Sequence, residues 1–119
     1  MVLVDTSVWI DHLRYGNSRL KQLLLSESVA CHPFVIGELA CGHLDNRAET
    51  LILMHALPSL PVAEEGEILY FIENRRLMGR GLGLIDIHLL ASAQLGEASF
   101  WTLDKRLQKA AQELDLGGA

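Results

Sequence analysis

The segment Val2-Leu3-Val4-Asp5-Thr6-Ser7-Val8-Trp9-Ile10-Asp11 decides the fold. Its first three residues form an apolar run short enough for a strand buried on both faces, and Asp5 halts it. Asp is a favoured helix N-cap, so Ser7 to Arg14 read as a helix that leaves the strand at once. Gly16-Asn17 stops that helix. A buried strand feeding directly into a helix is the unit of a parallel, helix-covered sheet.

Downstream the pattern repeats. Leu20, Leu23 and Leu24 share one face of a second helix. Ser28 to His32 is a second strand, and Pro33 suits the first position of a helix through Val35, Ile36, Leu39 and Ala40, closed by Gly42. Residues 47–57 form another helix, ended by Pro58 and Pro61, and Leu60-Pro61-Val62 is a weak strand. Glu64, Glu65 and Glu67 crowd the first turn of a helix running to about Met78, where the helix dipole favours them. Gly79, Gly81 and Gly83 form a loop before the apolar helix Leu84 to Leu95. Ser99 to Thr102 is a strand, and Leu103, Leu107, Ala110, Ala111 and Leu114 line a last helix. The expectation is an α/β fold: one domain over residues 1–119, with a central, mostly parallel sheet of about four short strands flanked by helices.

Composition agrees with a single globule. Of 119 residues, 50% are hydrophobic and 21% charged, which excludes disordered and low-complexity classes. Ten Lys and Arg stand against 15 Asp and Glu, a net charge of −5. That excludes holding nucleic acid by bulk positive charge, but not an enzyme that meets a polyanion through a metal ion. Cys31 and Cys41 are too few for a disulfide scaffold and lack zinc-ligand spacing. With no basic leader and no apolar run long enough to span a bilayer, the expected place is the cytoplasm, without a membrane partner.

The informative feature is where four acids fall. Asp5, Glu38, Asp86 and Asp104 each interrupt a strongly apolar stretch, where an uncompensated carboxylate is costly to desolvate. Asp5 and Asp104 come at the C-terminal ends of strands, the edge at which open parallel sheets bind ligands; if those strands are neighbours, the two carboxylates converge. Simpler readings exist for each. Asp5 and Asp104 precede helices and can be N-caps, Glu38 can be the solvent face of its helix, and Asp86 can pair with Arg80 or Arg76. Together, four converging acids call for a cation, and an all-oxygen donor set points to Mg²⁺ or Mn²⁺.

Four stretches, Asp5-Thr6-Ser7-Val8-Trp9-Ile10-Asp11, Glu38-Leu39-Ala40-Cys41-Gly42, Gly83-Leu84-Ile85-Asp86 and Trp101-Thr102-Leu103-Asp104, resemble the PIN-domain nucleases. Within them, the small size and the opening segment look like the VapC toxins of VapBC toxin–antitoxin modules. The resemblance covers nearly the whole chain. It implies a metal-dependent endoribonuclease with Asp5, Glu38, Asp86 and Asp104 as its acids and Thr102 as its hydroxyl residue before the last acid. It further implies structured RNA such as tRNA or rRNA as substrate, a homodimer, and inhibition by a VapB-type antitoxin. Where many relatives carry a further acid, Lys105 and Arg106 follow Asp104, so a complete second metal site is not expected. Many relatives also end in another short strand where this chain has Leu116-Gly117-Gly118-Ala119, so the sheet is expected to lack that edge.

Roles follow from the chemistry of phosphodiester hydrolysis. Asp5, Asp86 and Asp104 are the expected metal ligands, and Glu38 a ligand or the group that orients the attacking water. Thr6, Ser7 and Thr102 are expected to hydrogen-bond the carboxylates or a phosphate. Arg80, then Arg14, Lys105 and Arg106, are the candidate RNA contacts, although each can equally be plain solvated charge. Leu20, Leu23, Leu24, Leu51, Ile52 and Met54 form apolar stripes that suit either an antitoxin helix or the core. The five histidines share no ligand spacing, and Trp9 and Trp101 favour core packing over base stacking. A haloacid-dehalogenase-type phosphotransferase would need Asp where Ser7 stands. The remaining rival is a PIN-like binding module without turnover.

Overall fold

The computed structural model describes residues 1–117. Three strands, β1 (Val2–Val4), β2 (Val29–Ala30) and β3 (Ser99–Trp101), form one parallel sheet in the order β2-β1-β3. Val2 and Leu3 pair with Val29 and Ala30 on one side, and Leu3 and Val4 with Phe100 and Trp101 on the other. β1 is therefore central, which is why its residues are apolar without alternation: Leu3 and Val4 are fully buried.

Seven helices surround the sheet among the described residues: α1 (Thr6–Tyr15), α2 (Ser18–Leu25), α3 (Pro33–Cys41), α4 (Arg47–His55), α5 (Glu65–Arg75), α6 (Leu84–Leu95) and α7 (Lys105–Glu113). Their starts follow local chemistry. Asp5 and Asn17 cap α1 and α2 through side-chain oxygens, Pro33 opens α3, and Glu67 reaches back to the Glu64 amide at the start of α5. α6 buries Ile87, Leu89, Leu90, Ala91 and Ala93, and α7 contributes Leu107, Ala110 and Ala111 to the same core. Each fully buried Leu or Val there contributes roughly 1.5–3 kcal/mol.

The sheet has three strands where the sequence suggests about four. Leu60-Pro61-Val62 does not pair as a strand. The Cys31 amide donates to the Pro58 carbonyl (2.7 Å) and the Leu60 amide to the Cys31 carbonyl (3.1 Å), making one isolated parallel bridge between Cys31 and Ser59. The next donor in that ladder would be residue 33, and Pro33 has no N–H and already opens α3. At the opposite edge the Phe100 amide donates to the Leu116 carbonyl (2.6 Å), so the residues just after α7 partly close β3 without forming a strand. Of the closing stretch named above, Gly118 and Ala119 lie outside the described residues.

A buried polar link ties α3 to α6. His32, with no exposed surface, accepts from the Phe34 amide at Nδ1 (3.0 Å), which leaves Nε2 to donate to Ser92 Oγ (3.0 Å). Burial, with the nearby His88 ring adding, pushes the His32 pKa down to about 4, so the ring is neutral at pH 7. Cys31 is buried, Cys41 is exposed, and both are free thiols. No helix among the described residues is long and apolar enough to cross a membrane.

Candidate active site

Because β1 and β3 are neighbours, Asp5 and Asp104 leave adjacent strand ends. The connection is direct: the Asp5 amide donates to the Trp101 carbonyl (2.9 Å). Asp5 is 6% exposed, and its Oδ2 accepts from Ser7 Oγ (2.7 Å) and Thr102 Oγ1 (2.7 Å). Ser7 Oγ also receives the Leu103 amide (3.0 Å), and Thr102 Oγ1 the Asp104 amide (3.1 Å). Two hydroxyls thus clamp the strand ends together around one carboxylate.

The other acids arrive from separate elements. Asp104 caps α7, its Oδ1 accepting from the Arg106 (2.9 Å) and Leu107 (3.2 Å) amides. Asp86 lies in the first turn of α6 and reaches back to the Gly83 amide (3.0 Å). Glu38 is exposed on α3, where its Oε1 accepts from Thr6 Oγ1 (2.7 Å). The simpler readings therefore hold in part. Asp5 and Asp104 do cap helices and Glu38 does face solvent, whereas Arg80 pairs with Glu113 (2.7 Å) rather than with Asp86.

Capping does not exhaust these carboxylates. Among the described residues, Asp5 Oδ1, Glu38 Oε2, Asp86 Oδ1 and Asp104 Oδ2 make no protein hydrogen bond. Burial raises the Asp86 pKa; the Gly83 hydrogen bond opposes this, and the negative charges of Asp5 and Asp104 add to it. Four acids with one uncommitted oxygen apiece, three of them close enough to feel one another's charge, fit a hard divalent cation in donor type and in charge. No three of the described acids, histidines or cysteines already enclose a metal position.

A family model described as PIN domain matches residues 2–113. The chain belongs to the PIN domain family. Two relatives named Ribonuclease VapC32, from the CDC 1551 / Oshkosh and ATCC 25618 / H37Rv strains of Mycobacterium tuberculosis, are each 49% identical to it over 114 residues. The match spans 95% of this chain and 92% of each relative. The resemblance to VapC-type PIN-domain ribonucleases read from the four motifs is borne out.

The cations of this PIN domain are less concentrated than its acids. Arg80 is ion-paired to Glu113, and the Arg106 guanidinium lies so close to Gly81 that an added Cβ would meet it at 2.6 Å. Gly81, at φ +75°, is favoured by its backbone conformation, whereas the flexible end of Arg106 could move aside from a side chain there. Arg14 lines a shallow groove with Glu38 and His43, and Lys105 is exposed at the start of α7. The apolar stripes divide. Leu20 and Met54 have almost no exposed surface, whereas Ile52 is largely exposed. Leu24, Leu53 and Leu57 form with Trp9 and Leu13 an apolar groove of about 320 Å³. Trp9 is 4% exposed, and its indole N–H has no partner among the described residues.

Two arrangements had no signal in the sequence. One is the His32–Ser92 bond behind the site. The other is Arg19, whose guanidinium carbon stands 4.3 Å from the centre of the Trp101 ring. Both join residues about sixty or more positions apart, beyond the reach of any local pattern. His12 accepts the Asn17 amide at Nδ1 and His88 packs on Phe34.

Proposed function

We propose that this PIN domain is the toxin of a type II toxin–antitoxin pair: a Mg²⁺- or Mn²⁺-dependent endoribonuclease that hydrolyses structured RNA of the tRNA or rRNA class. What supports the reading is that Asp5 and Asp104 lie near enough for their charges to bear on Asp86, that Glu38 is tied through Thr6 to the start of α1, and that each of the four keeps one oxygen uncommitted. The relatives' name, Ribonuclease VapC32, supports the activity and the pairing with a VapB-type antitoxin.

Asp5, Asp86 and Asp104 would hold the ion, which when bound supplies Lewis acidity toward phosphoryl oxygens and acidifies water. The remaining work falls to the chain. Ser7 and Thr102 fix Asp5 in one rotamer and donate to its inner oxygen, so its outer oxygen is presented without reorganisation. Thr6 holds Glu38 by a single exposed bond, leaving Oε2 free to orient a water for attack on phosphorus. Attack by water and departure of the 3′ oxygen leave a 5′-phosphate and a 3′-hydroxyl.

The apolar groove between α1, α2 and α4 is the surface best suited to an antitoxin helix. Homodimerisation and a cytoplasmic site of action complete the reading. The test is incubation of the protein with total cellular RNA in Mg²⁺ or Mn²⁺, beside EDTA and Asp5→Asn controls, with end-mapping of fragments. Discrete fragments with 5′-phosphates that vanish in both controls are expected. Cleavage indifferent to EDTA and to Asp5→Asn would overturn the metal mechanism, and no cleavage would leave a binding module.

A further inference from the structure

An acidic chain that grips RNA needs individually placed cations, because its net charge of −5 repels the polymer. The structure holds one cation in a way the others are not held. Arg19 lies in the first turn of α2, where the helix dipole disfavours positive charge. It stays there with its guanidinium over the Trp101 ring, 4.3 Å from the centroid. Among the described residues it has no carboxylate partner and no hydrogen bond; Asp11, the acid near the start of α2 in sequence, is engaged by Asn17 Nδ2 (3.1 Å). The ring face holds the guanidinium while no protein hydrogen bond takes its N–H groups, which leaves the fork free for a phosphate, a group that arginine takes with two parallel hydrogen bonds.

The platform is part of the site's frame. The Trp101 carbonyl receives the Asp5 amide, and the next residue, Thr102, binds the Asp5 carboxylate. Side chains alternate along a strand, so Trp101 and Thr102 point to opposite sides of the same strand end. Arg19 therefore stands beside the acids but across the strand from them. Resting on the ribonuclease reading above, we propose that Arg19, held on Trp101, clamps a backbone phosphate of the RNA that flanks the scissile one. It is a substrate-positioning residue and takes no part in the bond-breaking step.

The test uses the intact protein and bulk tRNA, comparing wild type, Arg19→Gln, Arg19→Lys and Trp101→Phe. In Mg²⁺, Arg19→Gln is expected to raise KM about tenfold with kcat within about twofold, the signature of a lost phosphate contact. With EDTA present to prevent cutting, its tRNA affinity should depend less on salt, the log–log slope flattening by about one unit. Arg19→Lys should restore the slope but only part of the affinity, since a lysine is not bidentate. Trp101→Phe, which keeps a ring under the fork, should fall between wild type and Arg19→Gln. If wild type cuts and binds tRNA while Arg19→Gln keeps both its KM and its salt slope, the clamp is overturned and the ribonuclease reading survives. If wild type neither cuts nor binds tRNA, both fall together.

Discussion

Asp5 and Glu38 would serve one reaction from opposite situations. Asp5 is almost wholly buried, and the hydroxyls that fix it come from α1 and from the end of β3. Glu38 is exposed on α3 and has one donor, Thr6. The first is set by the packed frame, so its position is determined before any substrate arrives. The second can move, at the cost of one solvent-exposed bond. A site built this way combines a fixed anchor with an adjustable arm, and its mutants should divide accordingly.

The largest effect belongs to the anchor. Asp5→Asn keeps the shape and the hydroxyl contacts but removes the charge, and RNA cleavage should fall about a thousandfold, read by single-turnover rates. Glu38→Gln should fall less, by about a factor of ten to a hundred; equal losses would erase the distinction between the two groups.

A second prediction concerns what holds the arm's helix in place. His32 and Ser92 join α3, which carries Glu38, to α6, which carries Asp86. The His32 pKa is about 4 in the fold against 6.5 in the unfolded chain, so the unfolded state takes up the proton first. Stability from this group is complete above pH 6.5 and is lost as pH falls toward 4, by about 3 kcal/mol in all. Urea unfolding between pH 7 and 5 should show this slope in wild type and lose it in His32→Gln. An unchanged slope in the variant would assign the acid sensitivity to other groups.

Thr102→Val should be next in size. It leaves Asp5 buried with one hydroxyl fewer, which should cost about 1–3 kcal/mol of stability and reduce activity about ten- to a hundredfold. Thr6→Val, which frees Glu38 at the surface, should be the smallest, about threefold in kcat with no resolved change in unfolding midpoint. A Thr6→Val effect as large as that of Thr102→Val would show that the exposed carboxylate is as tightly determined as the buried one.

Much of this was legible in the chain. Asp5 and Asp104 sit where apolar runs end, and both their capping and their candidacy as site acids follow from residue type and position. The boundaries of α6 were readable because Gly83 and Gly96 bracket an apolar helix. Leu60-Pro61-Val62 misled: its apolar residues suit a strand, but the ladder stops where Pro33, the next residue that would donate to it, lacks an N–H and begins α3. The candidate RNA contacts were the least legible. Arg80 follows a glycine in a loop, a position that looks free, yet it spends its charge on Glu113, which lies in the last turn of α7.

By itself the sequence determined the helices, three of the strands, the α/β class, the unusual placement of four acids and the family to which the chain belongs. These are properties of short windows: apolar runs, caps, prolines, and charges placed where burial would be costly. Only the tertiary structure decided that β1 lies between β2 and β3, which brings Asp5 beside Thr102 and hence beside Asp104. It also decided that Arg19 rests on Trp101 and that His32 meets Ser92. Such pairings are chosen by which surfaces pack together once the chain has collapsed, and that selection is made by contacts between distant residues rather than by any residue's neighbours in sequence.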